Sequence, residues 1–260
     1  MAKLIEVQKS QEGAVSAVVP DDASDEVSND AKPAPVMDVA EVVALEQRIA
    51  KEGTSLYTLM MRAGKAVAEA VRQHVPVGSH VLILAGSGNN GGDGWVAAED
   101  LAAQGYNVVL VTKTPAAEIQ TEPAKTAALK AEKAGSFRIE VAPGQGMIEE
   151  EAKRADVVVD AILGTGFSHS EVREPYASWI ELANGVCDCG SECSGKGAGE
   201  GAWLIAIDCP SGLNAQTGLP AQVCIRADET ITMLAVKTGL LVPEAAPYVG
   251  QLRLALLEGE

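Results

Sequence analysis

The spacing of apolar residues along this chain changes character twice. Residues 1–36 hold few large apolar side chains, and the stretch PDDASDEVSNDAKPAP strings together acids, Pro, Ser and Asn. Such a segment buries too little apolar area to offset the entropy of ordering. A disordered acidic extension is therefore expected over 1–36, with a short docking strand at residues 4–7 as the alternative. Helical spacing begins at Asp38, where Asp38 and Glu41 resemble a capping pair and Val42, Leu45 and Ile49 share one face before Gly53. Ser55 can cap a second helix, in which Leu56, Leu59, Met60, Ala63, Val67 and Val71 form a stripe. These two helices could pack on a sheet or on a second subunit.

From residue 80 the period shortens. Apolar runs at 80–85 (HVLILA), 107–112, 137–141, 156–162, 203–208, 229–234 and 251–256 alternate with helical or loop segments. Strands of this kind between helices make βαβ units, hence a parallel sheet covered on both faces. Right-handed crossovers place the strand C-termini along one edge, where ligands bind. The reading is one α/β domain over 37–260.

Composition supports this and narrows the partners. Aromatics make up only 3% against 26 Gly, which favours layered α/β over an aromatic-rich sandwich. With 36 acids against 20 bases the net charge is −16. Such a surface repels nucleic acid and anionic membranes, so neither is an expected partner. A phosphate site would have to use backbone amides or a bound cation. No run approaches the roughly 20 apolar residues of a membrane span. The N-terminus lacks a secretory apolar segment. The five Cys are then expected as free thiols in a reducing cytoplasm.

Three strands end in loops with more chemistry than a connector needs. In AGSGNNGGDG (85–94) the glycines permit positive φ and close backbone approach, a loose version of the dinucleotide fingerprint. Asn89, Asn90 and Asp93 add oxygens suited to a ribose or a hard cation. In DAILGTGFSHS (160–170), Asp160 stands at a strand end before an anion-binding nest at Gly164, Thr165 and Gly166. In DCPSGLNAQTG (208–218), Asp208 ends its strand and Ser211 follows three residues later. A strand-end carboxylate of this kind can act as general acid or base. The bland alternatives are a capped βα turn in the first loop and Asp residues that merely organise the other two.

GNNGGDG, VVDAILGTG, DCPSGLNAQTG and TITMLAVKTGL, in that order, resemble the YjeF N-terminal domain family of NAD(P)H-hydrate epimerases. EVVALEQRIAKEG and LMMRAGKAVAEAV resemble its opening helices, so the likeness covers roughly residues 38–257. It implies a Rossmann-like three-layer αβα sandwich, commonly a homodimer. The implied activity interconverts the R and S epimers of hydrated NADH and NADPH (NADHX and NADPHX), with K+ in the site. Asn89, Asn90, Gly91, Gly92 and Asp93 would contact the hydrate. Asn90, Asp160 and Ser211 would hold the potassium. Gly164, Thr165, Gly166, Phe167, Ser168, His169 and Ser170 would hold phosphates, and Asp208 would meet the reacting ring and protonate its hydroxyl. The resemblance also implies an ADP-dependent dehydratase as partner, fused or separately encoded.

Two departures stand out. Asn214 replaces the family's usual Asp and is expected to shape the turn. Residues 185–201 form a Gly- and Cys-rich insertion, expected to be flexible, whose Cys187, Cys189 and Cys193 make a poor zinc pattern. Lys237 could meet a phosphate or cap the sheet edge. The competing function is a non-catalytic nucleotide-binding or dimerisation scaffold on the same fold.

Overall fold

The 80–85 run is apolar almost throughout because the strand it forms is covered on both sides. In the computed structural model, which describes residues 3–9, 15–18, 34–188 and 201–257, the N-terminal strands are β1 (Lys3–Lys9), β2 (Val15–Val18) and β3 (Val36–Met37). Two helices follow, α1 (Val39–Lys51) and α2 (Leu56–His74). Then β4 (His80–Ala85), α3 (Asn89–Ala103), β5 (Asn107–Thr112), α4 (Ala124–Ala134), β6 (Arg138–Val141), α5 (Gln145–Arg154), β7 (Val157–Ala161), α6 (Tyr176–Asp188) and β8 (Trp203–Ile207) alternate. The chain finishes with β9 (Glu229–Met233), β10 (Val236–Lys237), α7 (Ala246–Val249) and β11 (Gln251–Leu256).

Nine strands form one sheet in the order β2-β1-β11-β9-β8-β7-β4-β5-β6, and β10 pairs with β3 outside it. The seven strands from β11 to β6 are parallel. Side-chain alternation divides the core in two. Val81, Ile83, Val157 and Val159 pack under α2, α3 and α4, while Leu82, Leu84, Val158 and Leu204 pack under α5 and α6. The result is the expected αβα sandwich. The strand order reverses direction between β4 and β7, and the crevice beyond their carboxyl ends is the natural ligand position of such a sheet.

The two opening helices form as read. Glu41 accepts the Asp38 amide hydrogen at 2.9 Å, and Ser55 Oγ accepts that of Thr58 at 3.1 Å. The N-terminal region departs from the disordered extension expected over 1–36. Lys3–Lys9 pairs antiparallel with β11, from Lys3↔Leu256 to Glu6↔Arg253, and Leu4 and Ile5 are buried. Residues 19–33 lie outside the described residues. So do residues 189–200 and with them Cys189 and Cys193; α6 runs on to Asp188, inside the expected insertion.

Candidate active site

The glycine segment is helix rather than loop. Helix α3 begins at Asn89, so NNGGDG forms its first turns, and none of the five glycines at 86–94 takes a positive φ. Glycine is required here by close approach. A Cβ on Gly91 would lie 1.9 Å from the Gly86 carbonyl oxygen, and one on Gly86 1.9 Å from that of Ile162. The β4–α3 turn thus folds tightly on itself and on the β7 loop. Gly88, the residue that precedes the helix, offers no side-chain cap, which leaves the first-turn amides directed at the crevice.

At that crevice lies a cavity of about 540 Å³. One wall is apolar, made by Leu56, Leu59, Met60 and Ala63 of α2. The opposite side is polar, formed by Gly88, Asn89, Asn90 and Asp93 of α3 with Gly164, Thr165, Gly166, Phe167 and His169 of the β7 loop. Asp208, Glu46 of α1 and Tyr176 of α6 also face it. Of the residues expected at the site, Gly91 and Gly92 are buried and do not line the cavity; Ser168 and Ser170 are exposed and do not line it either.

Asp160 and Ser211 lie beneath the cavity, fully buried. Asp160 accepts from Ser211 N at 2.7 Å, Ser211 Oγ at 2.5 Å and Ile162 N at 3.2 Å. Asn90 Nδ2 and Ser211 Oγ both donate to the Leu163 carbonyl, at 2.9 and 3.2 Å. Asn90 and Ser211 thus meet at one backbone carbonyl, and Ser211 links them to Asp160. Burial raises the Asp160 carboxyl to about 6, against the pull of the Ser211 bonds. Among the described residues no basic side chain pairs with it. Oxygens grouped around a buried carboxylate without a basic partner fit a hard cation.

Asp208 is held differently. Its backbone φ is +64°, an uncommon conformation that turns the chain sharply out of β8. Its carboxylate is ion-paired to Lys237, and Oδ1 also accepts from Met233 N at 3.1 Å. Lys237 is itself buried and donates further to Thr232 Oγ1 at 3.1 Å and to the Met233 carbonyl at 2.9 Å. The lysine is thus neither a phosphate contact nor an edge cap. Its three ammonium protons are committed, and one of them goes to Asp208 Oδ1. Asn214 shapes its turn as expected, accepting from Gln216 N at 2.9 Å and Thr217 N at 3.0 Å.

Two acids face this pair across the cavity. Burial pushes the Asp93 carboxyl well up, and the charges of Asp208 and Glu46 push it further, against Lys237. Glu46 is raised by burial and by Asp208, with Lys237 opposing. One buried base thus serves three acids. Glu46 was not legible as a site residue, because on a helical wheel it is one more polar position of an amphipathic helix.

Comparison with known proteins gives a consistent picture. A family model described as YjeF-related protein N-terminus matches residues 56–239. A bifunctional NAD(P)H-hydrate repair enzyme of Leishmania major is 37% identical over 207 residues, 78% of this chain and 33% of the relative. An NAD(P)H-hydrate epimerase of Cenarchaeum symbiosum is 36% identical over 190 residues, 70% of this chain and 76% of the relative. The chain spans about a third of the length of the bifunctional relatives. A yeast crystal structure matches with a TM-score of 0.65 and 22% identity, covering 84% of this chain and 86% of that one, which supports the fold.

Proposed function

This chain belongs to the YjeF-related N-terminal family, and from that premise we propose that it is an NAD(P)H-hydrate epimerase, an isomerase that interconverts the R and S forms of NADHX and NADPHX. The observation that carries the reading is the cavity at the sheet's switch point. One wall is apolar, the other offers uncapped helix amides, and the Asp208 side chain, in contact with Lys237, stands at the end.

Each part has work to do on such a substrate. The first-turn amides of α3 and the 164–169 loop bind the phosphates without basic side chains. The apolar wall from Leu56 to Ala63 covers the reduced ring and excludes water from it. When the hydroxyl at ring C6 leaves, the ring nitrogen develops positive charge, and the Asp208 carboxylate stabilises that charge in a partly dry site. Water then returns to either face, with no change of redox state. Asn90, Asp160 and Ser211 would hold K+, which when bound offsets the buried Asp160 charge and adds positive potential under the phosphates. A homodimer, a cytoplasmic location and an ADP-dependent dehydratase partner complete the proposal, with the resemblance as their support. The convergence of Asp93, Asp208 and Glu46 on one cavity with an apolar wall favours an enzyme over a scaffold.

The test is epimerisation of purified R-hydrate, followed chromatographically as S-hydrate, with Asp208→Asn beside the native chain. Rapid equilibration, falling about 10²–10³-fold in the variant, is expected. No acceleration over the spontaneous rate by folded protein would sink the reading.

A further inference from the structure

We propose that Glu46 is the proton-transferring group of this reaction, acting on the hydroxyl at ring C6 while Asp208 faces the charge that develops on the ring. The inference rests on the epimerase reading above and deepens it.

Three observations carry it. Asp208 is anchored through one oxygen: Lys237, Met233 N and Thr232 all address its Oδ1, an arrangement that seats the carboxylate as the partner of the buried lysine. The reaction still needs a group that gives a proton and takes it back. Glu46 lines the same cavity beside the apolar α2 wall, and among the described residues it carries no hydrogen bond or ion pair.

Its placement is built into the fold rather than left to a mobile side of the molecule. The segment leading into α1 is strand β3, which pairs Met37 with Lys237. Asp38 Oδ1 accepts from Gln216 Nε2 at 2.8 Å and from Thr238 Oγ1 at 3.1 Å, and Gln216 Oε1 accepts from Val39 N at 3.0 Å. Helix α1 is thereby tied to the strand that carries Lys237 and to the loop that follows Asp208. Two helical turns separate Val39 from Glu46, so the same anchor sets the positions of both acids.

The electrostatics distinguish Glu46 from Asp93. Burial and neighbouring acids push Asp93 well up, which makes it a poor proton acceptor on the return step. Glu46 is raised by burial and by Asp208, with Lys237 opposing, and it stands on the cavity with no hydrogen bond or ion pair to hold its proton among the described residues. In the forward step the Glu46 carboxyl gives its proton to the C6 hydroxyl oxygen. The C6–O bond breaks and water departs, while the ring nitrogen lone pair forms the C=N bond of an iminium-like cation. Water then adds to C6 from either face and returns a proton to the Glu46 carboxylate. Atoms and electrons balance without any oxidant or reductant.

The experiment compares the native chain, Glu46→Gln, Glu46→Asp and Asp93→Asn on purified R-NADPHX, reading kcat, KM and the thermal midpoint. Glu46→Gln should lower kcat roughly 10²–10⁴-fold, with KM changed by no more than about threefold and the midpoint retained. Glu46→Asp should recover part of the loss. An unchanged kcat in Glu46→Gln overturns the assignment, as does a rise in KM alone. So does a kcat loss found in Asp93→Asn but absent from Glu46→Gln, which would give the proton to Asp93. A native chain that does not accelerate epimerisation fails at the earlier step, so the two failures are told apart.

Discussion

Both ends of the sheet carry an acid paired to a buried base, yet the two pairs are finished to different degrees. At the N-terminal edge, Glu229 accepts from Arg253 Nη1 at 2.7 Å and pairs with His74 Nε2 at 2.6 Å. Arg253 also donates to Gln73 Oε1 at 2.8 Å, and the imidazole stacks on Trp203 with ring centroids 4.4 Å apart. Both oxygens of the buried Glu229 carboxylate have partners there. At the C-terminal edge one lysine meets one carboxylate, two more acids face them, and a cavity lies between. A closed network belongs to the scaffold, whereas an unbalanced one beside open volume is poised for a ligand.

Breaking each pair in turn separates the two roles. Glu229→Ala leaves Arg253 buried without its partner and should cost about 3–5 kcal/mol of stability. Denaturant titration measures this, and kcat of the remaining folded protein should be unchanged. Lys237→Met opens the other pair, but Asp208 borders the cavity and water can reach it. The stability loss should be smaller, about 1–2 kcal/mol, while kcat falls at least about tenfold through the misplaced carboxylate. A Lys237→Met protein as destabilised as Glu229→Ala, with normal kcat, would erase the distinction.

The smallest effect concerns the oxygens under the cavity. At ten times its Kd, potassium should add about 1.4 kcal/mol to folding stability. With potassium held as proposed, the Asp160 carboxyl, raised to about 6, would bind a proton in competition with the cation. The gain measured by thermal melts should therefore be full well above pH 6, shrink as pH falls through that value, and vanish in Asp160→Asn.

The sheet was readable because its strands are covered on both faces, which leaves continuous apolar runs such as VLILA and WLIAI. Asn90, Asp160 and Ser211 were each readable as loop residues near the end of a recognisable strand, whereas their grouping came from the family resemblance. Glu46 was not, since its role depends on β3 pairing with β10, a contact between residues 200 positions apart in sequence. Lys237 was ambiguous for the same reason: its partner Asp208 is 29 residues away. Strand β1 was only an alternative, because its apolar residues gain value only beside β11. The helical state of NNGGDG ran against glycine's low helix propensity, which the tight fold of Gly91 on Gly86 overrides.

The outermost parallel strand, β6, governs how the molecule behaves among its neighbours in concentrated solution. An unpaired strand edge offers backbone donors and acceptors to any passing chain and can template aggregation. Here that edge is four residues long and presents Arg138 and Glu140. The guanidinium is drawn back to Glu151 at 2.6 Å and to Glu140 at 3.3 Å. A short, charged rim on a chain of net charge −16 discourages strand-to-strand growth, so the sheet ends where β6 ends.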